Sequence, residues 1–446
     1  MFLFKYIQFI HNYIYYSNFF VEGKENVPEK SEAVVIASCH QNAINDPLAL
    51  EFAFANRTVN LFAHGNLFRN PIINRFFRSI HVIPAYRMRT DGEESLSKNF
   101  TEFENVEKKL FNGEWTGIFP EATNQSRRFL GEFSLGYLRM AFQAAERQNF
   151  EKDVKVLPVA IHYDNYHRFR HNCLVRIAPA VSLLPFYELY KTKPRTAQRQ
   201  VNALVRESIQ NMMIDLPDEE SYEAIEYIRE TYGRRYAVTH GANPDILPQK
   251  LSTDIKLTSI LKAYADAKPE EAGKLFADVS ELKSQTRKAG IRDWVLANKD
   301  SSWWLVLYCI MLLCLLPVFL YTLIPNLLIY LAPIPFCKKF DSIGGPFVMF
   351  KGGVQIVLSS LVTAPLLYTA GFILHGIYIG WLFASIWTLL QPAALVFGWN
   401  YYNFALKTLS ISRFRIGTLF ASGKEKAASL RTLRASIWHK LDELCA

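Results

Sequence analysis

The most constraining feature of the sequence is a region, residues 301–405, that carries almost no charge. Its formally charged side chains are Lys338, Lys339, Asp341 and Lys351. One crossing of the bilayer core takes about 20 apolar residues. The uncharged stretches 301–337 and 352–406 are both long enough for this. We therefore predict an integral membrane protein whose membrane region lies towards the C-terminus.

Positive charge flanks these stretches, and positive flanks prefer the cytoplasm. The flanking residues are Lys338, Lys339, Lys351, Lys407, Arg413, Arg415, Lys424 and Lys426. Because Pro325 and Asn326 interrupt the first stretch, we expect it to form a re-entrant or two-piece hairpin, followed by a spanning hairpin over 353–405. Two hairpins place the N-terminal domain and the C-terminus together on the cytoplasmic face. A three-span arrangement is the alternative.

The remaining sequence has the composition of a soluble protein with a basic excess. The chain has 446 residues and a formal net charge of +9. Such an excess suits nucleic acid, anionic lipid or phosphorylated substrates. No nucleic-acid-binding module or dense Lys/Arg run is recognisable, so we expect the lipid bilayer and a phosphorylated substrate as partners, and no nucleic acid. The six cysteines form no C-x-x-C pair and are expected to be reduced thiols.

Residues 32–185 alternate short β-type runs with helical patterns, which indicates an α/β fold, a layered sheet-and-helix domain. The expected strands are Ala33–Ala37, Val59–Ala63, His81–Pro84, Thr116–Phe119, Val156–His162 and Leu174–Ile177, and the expected helices include Pro47–Ala55, Ser95–Phe111 and Gly136–Arg147. The predicted divisions are an N-terminal interfacial helix (1–20), the α/β domain (21–190), a charged helical extension (191–300), transmembrane hairpins (301–406) and a basic C-terminal tail (407–446).

The sharpest local feature is the string ASCHQNAINDP, residues 37–47. An apolar β-type run brings His40 to a strand end, and Asp46-Pro47 is typical of a helix start, with Asp as N-cap. A neutral imidazole takes a proton from an alcohol at neutral pH, and a nearby carboxylate stabilises the imidazolium. A loop histidine beside a capping aspartate is the structural alternative.

Three further strings lie within or directly after predicted strands. FPEATNQS, residues 119–126, places Glu121 and Thr123 after a strand, where Thr123 and backbone N–H groups suit a phosphate. IPAYRMR, residues 83–89, offers the guanidinium groups of Arg87 and Arg89 to a phosphate monoester. VLPVAI, residues 156–161, is apolar and suits the wall of an apolar groove. Taken singly, FPEATNQS also fits a surface turn, IPAYRMR a solvated arginine pair and VLPVAI a core strand.

Taken in chain order, the four strings resemble the glycerophospholipid acyltransferase family, which is marked by H-x-x-x-x-D, an arginine after a β-strand, F-P-E-G-T, and an apolar strand with a central proline. The resemblance covers roughly residues 20–190. It implies transfer of a fatty acyl group from acyl-CoA or acyl carrier protein to glycerol 3-phosphate or 1-acylglycerol 3-phosphate in phospholipid biosynthesis. The implied step is direct attack on the thioester, with neither a metal nor another cofactor.

The resemblance also implies roles for the matching residues. His40 is similar to the general base and Asp46 to its carboxylate partner. The remaining roles are acceptor binding for Arg87, Arg89, Glu121 and Thr123, and the acyl-donor groove for Pro158 and Val159. The longer first motif, the arginine string and the apolar C-terminal region look most like bacterial enzymes related to fungal-type glycerol-3-phosphate acyltransferases.

The sequence departs from the family pattern in the first and third blocks. The spacing from His40 to Asp46 is one residue longer than the consensus, and Asn45 occupies the consensus acid position. An amide does not supply the charge, so we expect Asp46 to be the partner. Ala122 replaces a glycine and Asn124 stands where arginine is frequent, which shifts the expected phosphate contacts to other arginines. These are Arg87, Arg89, Arg127 and Arg128.

The sequence bears on four other functions. A metallohydrolase would use His162, His167 and His171, but no carboxylate or cysteine is spaced with them as a further ligand. A serine hydrolase would need G-x-S-x-G, which the sequence lacks. Acyl transfer to another lysolipid acceptor, and a catalytically inactive lipid-binding scaffold, stay open as alternatives.

Overall fold

The computed structural model describes residues 2–42, 44–69, 71–85, 104–121, 127–166, 168–216, 219–298, 302–335 and 347–445. The chain divides into two compact units. The sheet unit comprises Tyr16–Asp215 with Cys337–Gly353. The helical unit comprises Met1–Tyr15, Leu216–Phe336 and Val354–Ala446.

The sheet unit is built on a single eight-stranded sheet. Its strands are β1 (Asn18–Glu22), β2 (Ala33–Ser38), β3 (Val59–His64), β4 (Val82–Ala85), β5 (Trp115–Ile118), β6 (Val154–Tyr163), β7 (Asn172–Ile177) and β8 (Val181–Ser182). They are ordered β1-β7-β6-β2-β5-β3-β4, with β8 paired to β6. The neighbours pair in parallel except that β6 is antiparallel to β7 and β8.

The central strands are buried, which explains their continuous apolar sequences. β2 (AVVIAS) is buried along its whole length between β5 and β6, and β6 (VKVLPVAIHY) is buried except at Lys155. A strand that is covered on both faces loses the alternation of polar and apolar residues and becomes an apolar run. This pattern made β2 and β6 visible in the sequence, and the predicted α/β class is confirmed.

The helices, in chain order, are α1 (Phe2–Phe9), α2 (Asn45–Ala53), α3 (Pro71–Ser79), α4 (104–110), α5 (Gly136–Arg147), α6 (Tyr187–Thr192), α7 (Pro194–Met212), α8 (Glu219–Thr231), α9 (Gly233–Thr239), α10 (Leu247–Ala267), α11 (Pro269–Lys288), α12 (Asp293–Ala297), α13 (Ser302–Leu331), α14 (Phe347–Leu358), α15 (Ala364–Tyr378), α16 (Trp381–Gly417) and α17 (Ala421–Cys445). π-helical turns cover Ile10–Tyr15 and Ser359–Thr363, and short 3-10 turns cover Lys24–Asn26, Gly65–Arg69 and Leu184–Phe186.

The six predicted strands are all present, with ends that differ by at most two residues, whereas β1 and β8 were not predicted. The N-terminal helix expected over 1–20 is shorter: α1 ends at Phe9, and Asn18–Glu22 forms β1. β1 pairs in parallel with β7, a partner about 150 residues away that local patterns do not reveal. Helix α5 has the predicted bounds, while most of the helix expected over Ser95–Phe111 lies outside the described residues.

Helix α7 belongs to the sheet unit, although its sequence resembles the charged extension that we expected from residue 191. Val201, Val205 and Ile209 recur every four residues along it and are fully buried. This stripe packs near β6, and the charged residues lie on the remaining faces. Burial of one face therefore extends the sheet unit to Asp215.

The helical unit joins segments from both sides of the apolar region. Arg434 of α17 donates two hydrogen bonds to Asp293 of α12, at 2.6 and 2.8 Å, and Arg235 of α9 pairs with Asp442 of α17 at 2.7 Å. Ala427, Leu430, Ile437 and Leu441 of α17 are buried. The predicted basic C-terminal tail is thus a helix with a buried apolar face.

Among the described residues, three helical segments are long and apolar enough to cross a membrane: Ser302–Pro335, Lys351–Tyr378 and Trp381–Gly417. The break expected at Pro325-Asn326 is absent, because α13 runs as one 30-residue helix through Pro317 and Pro325. A proline removes one helical hydrogen bond, whereas ending the helix in lipid leaves several backbone groups unpaired. In an apolar solvent such as lipid, the continuous helix is therefore favoured.

Candidate active site

Two adjacent parallel strands bring polar groups to the same edge of the sheet. β2 ends at Ser38 and is followed by His40, and β5 ends at Ile118 and is followed by Glu121. Their pairing aligns Ala37 with Ile118, so the residues that follow both strands emerge side by side. The carboxyl edge of parallel strands is where α/β folds place their chemistry.

His40 and Asp46 form a direct pair at this edge. Nδ1 of His40 lies 2.9 Å from Oδ2 of Asp46. The Asp46 side chain is fully buried, whereas that of His40 keeps 18% of its accessible surface. The imidazole stacks on the Phe119 ring with the centroids 4.3 Å apart. Because Nδ1 is occupied by the carboxylate, Nε2 is the ring nitrogen that remains to accept a proton.

The Asp46 carboxylate is saturated with hydrogen-bond donors. Its Oδ2 accepts from the backbone N–H groups of Gln41 and Asn42, both at 2.7 Å, as well as pairing with His40. Its Oδ1 accepts from the hydroxyl of Tyr163 at 2.8 Å. These four hydrogen bonds fix the orientation of the carboxylate beside His40.

The expected N-cap role of Asp46 is wrong. Helix α2 begins at Asn45, Ile44 occupies the cap position without a side-chain bond, and Asp46 lies inside the first turn. Its carboxylate turns back to the loop that carries His40, where it closes the turn between histidine and helix. Asn45 is also fully buried, yet within the described part of the chain its carboxamide atoms have no hydrogen-bond partner.

Glu121 holds the backbone of this edge. Its Oε1 accepts from the N–H of His40 at 2.7 Å and its Oε2 from the N–H of Gly131 at 2.8 Å. Burial raises the pKa of the Glu121 carboxyl to about 7; the two N–H groups oppose this, and the charges of Asp46 and Asp215 add to it. The contacts described for Glu121 are therefore with the protein backbone, and its acceptor-binding role stays a prediction.

Arg128 is buried behind the site. Its guanidinium lies 3.2 Å from Nδ1 of His162, donates to the carbonyl of Tyr163 at 3.1 Å, and covers the Tyr166 ring at 5.3 Å. Only 2% of Arg128 is exposed. The arginine therefore ties the loop after β5 to the end of β6, a contact that differs from the phosphate contact considered from sequence.

The structure describes only some of the other predicted site residues. Arg87, Arg89 and Thr123 lie outside the described residues. Pro158 and Val159 are buried within β6, where they pair with Ala37 and Ser38 of β2. They support the strand that carries the site, and their acyl-groove role stays a prediction.

Tyr163 and Gly131 contribute contacts that the sequence did not predict. A signal for Tyr163 existed, because a strand was predicted over Val156–His162 and Tyr163 is the next residue; it is the last residue of β6. Which face of the strand end looks towards Asp46 depends on the pairing of β6 with β2. Gly131 acts through its backbone, which leaves no side-chain signal.

The histidines considered for a metal site are dispersed. His162 contacts Arg128, His171 pairs with Asp164 at 3.1 Å, and His167 lies outside the described residues. Over the part of the chain that the structure describes, no group of three or more His, Cys, Asp or Glu side chains is arranged to hold a metal ion.

Comparison with known families agrees with this geometry. The family model described as "Acyltransferase" matches residues 18–162, which include β1 to β6 and the His40–Asp46 pair. Residues 18–162 belong to the acyltransferase family. The resemblance drawn from the four strings is thereby confirmed, and we refer to this segment as the acyltransferase domain.

Two known proteins are similar to parts of this chain. An uncharacterized acyltransferase of Schizosaccharomyces pombe is 26% identical over 132 residues, which are 29% of this chain and 19% of that protein. The match thus spans about a fifth of that relative's length. The crystal structure of the 1-acyl-sn-glycerophosphate (LPA) acyltransferase PlsC from Thermotoga maritima is 20% identical, with a TM-score of 0.33, and the match covers 47% of this chain and 77% of that chain.

Proposed function

We propose that the chain is a membrane-bound O-acyltransferase of phospholipid biosynthesis, which transfers a fatty acyl group from acyl-CoA or acyl carrier protein to glycerol 3-phosphate or 1-acylglycerol 3-phosphate. The observation that carries the proposal is the 2.9 Å contact between Nδ1 of His40 and Oδ2 of Asp46 at the sheet edge of an acyltransferase domain. The pair leaves Nε2 as the proton acceptor for a substrate hydroxyl.

The proposed reaction is a direct displacement. Nε2 of His40 takes the proton of the acceptor hydroxyl as its oxygen attacks the thioester carbonyl. The new C–O ester bond forms and the C–S bond breaks, and the proton passes from His40 to the departing thiolate. Asp46 keeps Nδ1 protonated and stabilises the transient imidazolium. The reaction involves no change of oxidation state and needs no redox partner. We propose that it needs neither a metal nor another cofactor.

The acceptor phosphate is assigned to the arginines after β4. β4 ends at Ala85 and runs parallel to β3, which runs parallel to β5, so the carboxyl ends of all three strands lie at the same edge of the sheet. Arg87 and Arg89 come shortly after that end. Strands about 4.8 Å apart put the end of β4 about 14 Å from that of β2. An arginine side chain and a glycerol phosphate together span this separation.

The three apolar helical segments fit the lipid nature of the proposed substrates. An acyl chain partitions into the bilayer, so an enzyme held at the membrane meets its substrates where they are concentrated. The lysine and arginine flanks of the apolar region favour a cytoplasmic position for the acyltransferase domain.

The test is an acyl-transfer assay on the purified full chain in detergent or vesicles. Glycerol 3-phosphate, dihydroxyacetone phosphate and lysophosphatidate are each offered with acyl-CoA and with acyl carrier protein. We expect thiol release and an acylated product with at least one of these acceptors, unchanged by a chelator. Turnover only with other lysolipids replaces the acceptor assignment. Absence of turnover with every acceptor favours the non-catalytic lipid-binding scaffold.

A further inference from the structure

We propose that Tyr163 is a positioning residue of this active site, acting on His40 through the Asp46 carboxylate. The inference rests on the proposed general-base role of His40 and names a residue outside the family strings that carried that role. Its basis is the 2.8 Å hydrogen bond from the Tyr163 hydroxyl to Oδ1 of Asp46.

The two oxygens of Asp46 have different partners. Oδ2 is held by the backbone of Gln41 and Asn42 and by His40. Across the described residues, the one donor recorded for Oδ1 is the Tyr163 hydroxyl. Without it, Oδ1 is a buried anionic oxygen lacking a donor, which is costly. The carboxylate then either rotates or attracts the protonated imidazole more strongly.

The position of Tyr163 is itself fixed from several sides. It is the last residue of β6, pairs with Cys173 of β7, and is fully buried. Its ring stacks on Tyr16 with centroids 5.9 Å apart, and its carbonyl accepts from Arg128. The Tyr163 hydroxyl thus approaches Asp46 from the end of β6, and not from the loops that carry His40 and Glu121.

Several ionisable groups among the described residues lie near Asp46. Burial and the charge of Asp46 raise the pKa of the Tyr163 hydroxyl well above its usual value, so Tyr163 stays a donor. Burial likewise raises the pKa of the Cys39 and Cys173 thiols, which stay neutral. His40 and the Glu121 carboxyl also interact with Asp46. Replacing Tyr163 with Phe removes one neutral donor from Asp46 and leaves these groups in place.

The consequence is a directional shift in the titration of His40. A donor on Oδ1 draws negative charge away from Oδ2, so its loss strengthens the attraction of Asp46 for an imidazolium. In Tyr163→Phe, His40 should hold its proton to higher pH. The base form needed at neutral pH is then scarcer, and kcat falls while the contacts of the acceptor, and hence KM, are kept.

The first experiment needs no substrate. The rate at which diethylpyrocarbonate modifies His40 is followed by mass spectrometry from pH 5 to 9 in the full chain and in Tyr163→Phe. We expect the midpoint of this pH dependence to lie at higher pH in the variant than in the wild type. Tyr187→Phe is the matched control, because Tyr187 is also buried and its hydroxyl bonds Lys152 and Val154 at the opposite end of β6. Equal midpoints in all three proteins overturn the proposal.

The second experiment uses turnover. Tyr163→Phe should lower kcat roughly tenfold or more, the effect of losing a hydrogen bond to a charged group, and move the acid limb of the kcat profile to higher pH. In an Asp46→Asn background the same change should add less than about twofold, because the residue acts through Asp46. Full additivity of the two changes contradicts the proposal. An inactive wild type rejects the proposed function, while the modification experiment still decides the role of Tyr163.

Discussion

Nδ1 of His40 lies 2.9 Å from Oδ2 of Asp46, and the same oxygen accepts the backbone N–H groups of Gln41 and Asn42. The carboxylate thus orients the imidazole and closes the loop that carries it. The additional residue in the first motif is absorbed within this loop, and the acid still reaches the histidine.

Replacing His40 with Ala should abolish acyl transfer, with turnover lowered at least about a hundredfold, because a positioned general base contributes 10²- to 10⁴-fold. The side chain is partly exposed, so the thermal unfolding midpoint should change little. Steady-state thiol release measures the effect. The matched control is His171→Ala, which removes a histidine that also pairs with a carboxylate, Asp164, at 3.1 Å. Activity of His40→Ala within tenfold of wild type contradicts the base assignment.

Asp46→Ala and Asn45→Ala should differ sharply when they are assayed side by side. The first removes the partner of His40 and leaves the donors of Gln41, Asn42 and Tyr163 unpaired, so both turnover and stability should fall. The second removes a buried carboxamide for which no hydrogen bond is described, and its effect on kcat should be smaller. A larger loss of kcat in Asn45→Ala than in Asp46→Ala contradicts the assignment of Asp46 as the partner of His40.

Glu121→Gln should change how stability depends on pH. The folded-state pKa of Glu121 is about 7, above the value near 4.3 of an unfolded chain. The wild type therefore gains stability from this group at low pH and loses it as the pH rises through 7. The free energy of unfolding of wild type, relative to the variant, should fall by up to about 3 kcal/mol between pH 4.5 and 8. Thermal unfolding of both proteins at several pH values measures this, and a constant difference contradicts the raised pKa.

The membrane region should cross the bilayer an even number of times. α17 follows the apolar helices yet pairs with α9 and α12, which precede them, and Arg415 near the end of α16 bonds Asn298 at 3.3 Å. The residues before and after the apolar helices should therefore lie on the same side of the bilayer. An odd number of crossings would separate them, so only two of the three long segments can be complete crossings. This parity favours hairpins over the three-span alternative.

Cysteine labelling tests this parity. Lys288→Cys and Lys426→Cys, both at exposed positions, are introduced separately into a chain whose Cys309, Cys314, Cys337 and Cys445 are replaced by Ser. An impermeant maleimide should label both positions from the same side of sealed vesicles. Labelling from opposite sides would establish an odd number of crossings.

The sequence by itself determined the features that repeat locally or match a family pattern. Continuous apolar runs revealed β2 and β6, and the ordered strings singled out His40, Asp46 and Glu121. The scarcity of charge after residue 301 predicted helices long and apolar enough to cross a membrane, because this property depends on length and composition alone.

Only the tertiary structure decided which atoms meet. The strand order brings Tyr163 to Asp46 across 117 residues, and Glu121 to the backbone of His40 across 81. It also decided that α13 continues through Pro325 and that α17 packs as a helix. Such contacts depend on strand register and on burial by distant segments, and these non-local quantities leave no periodic trace in the sequence.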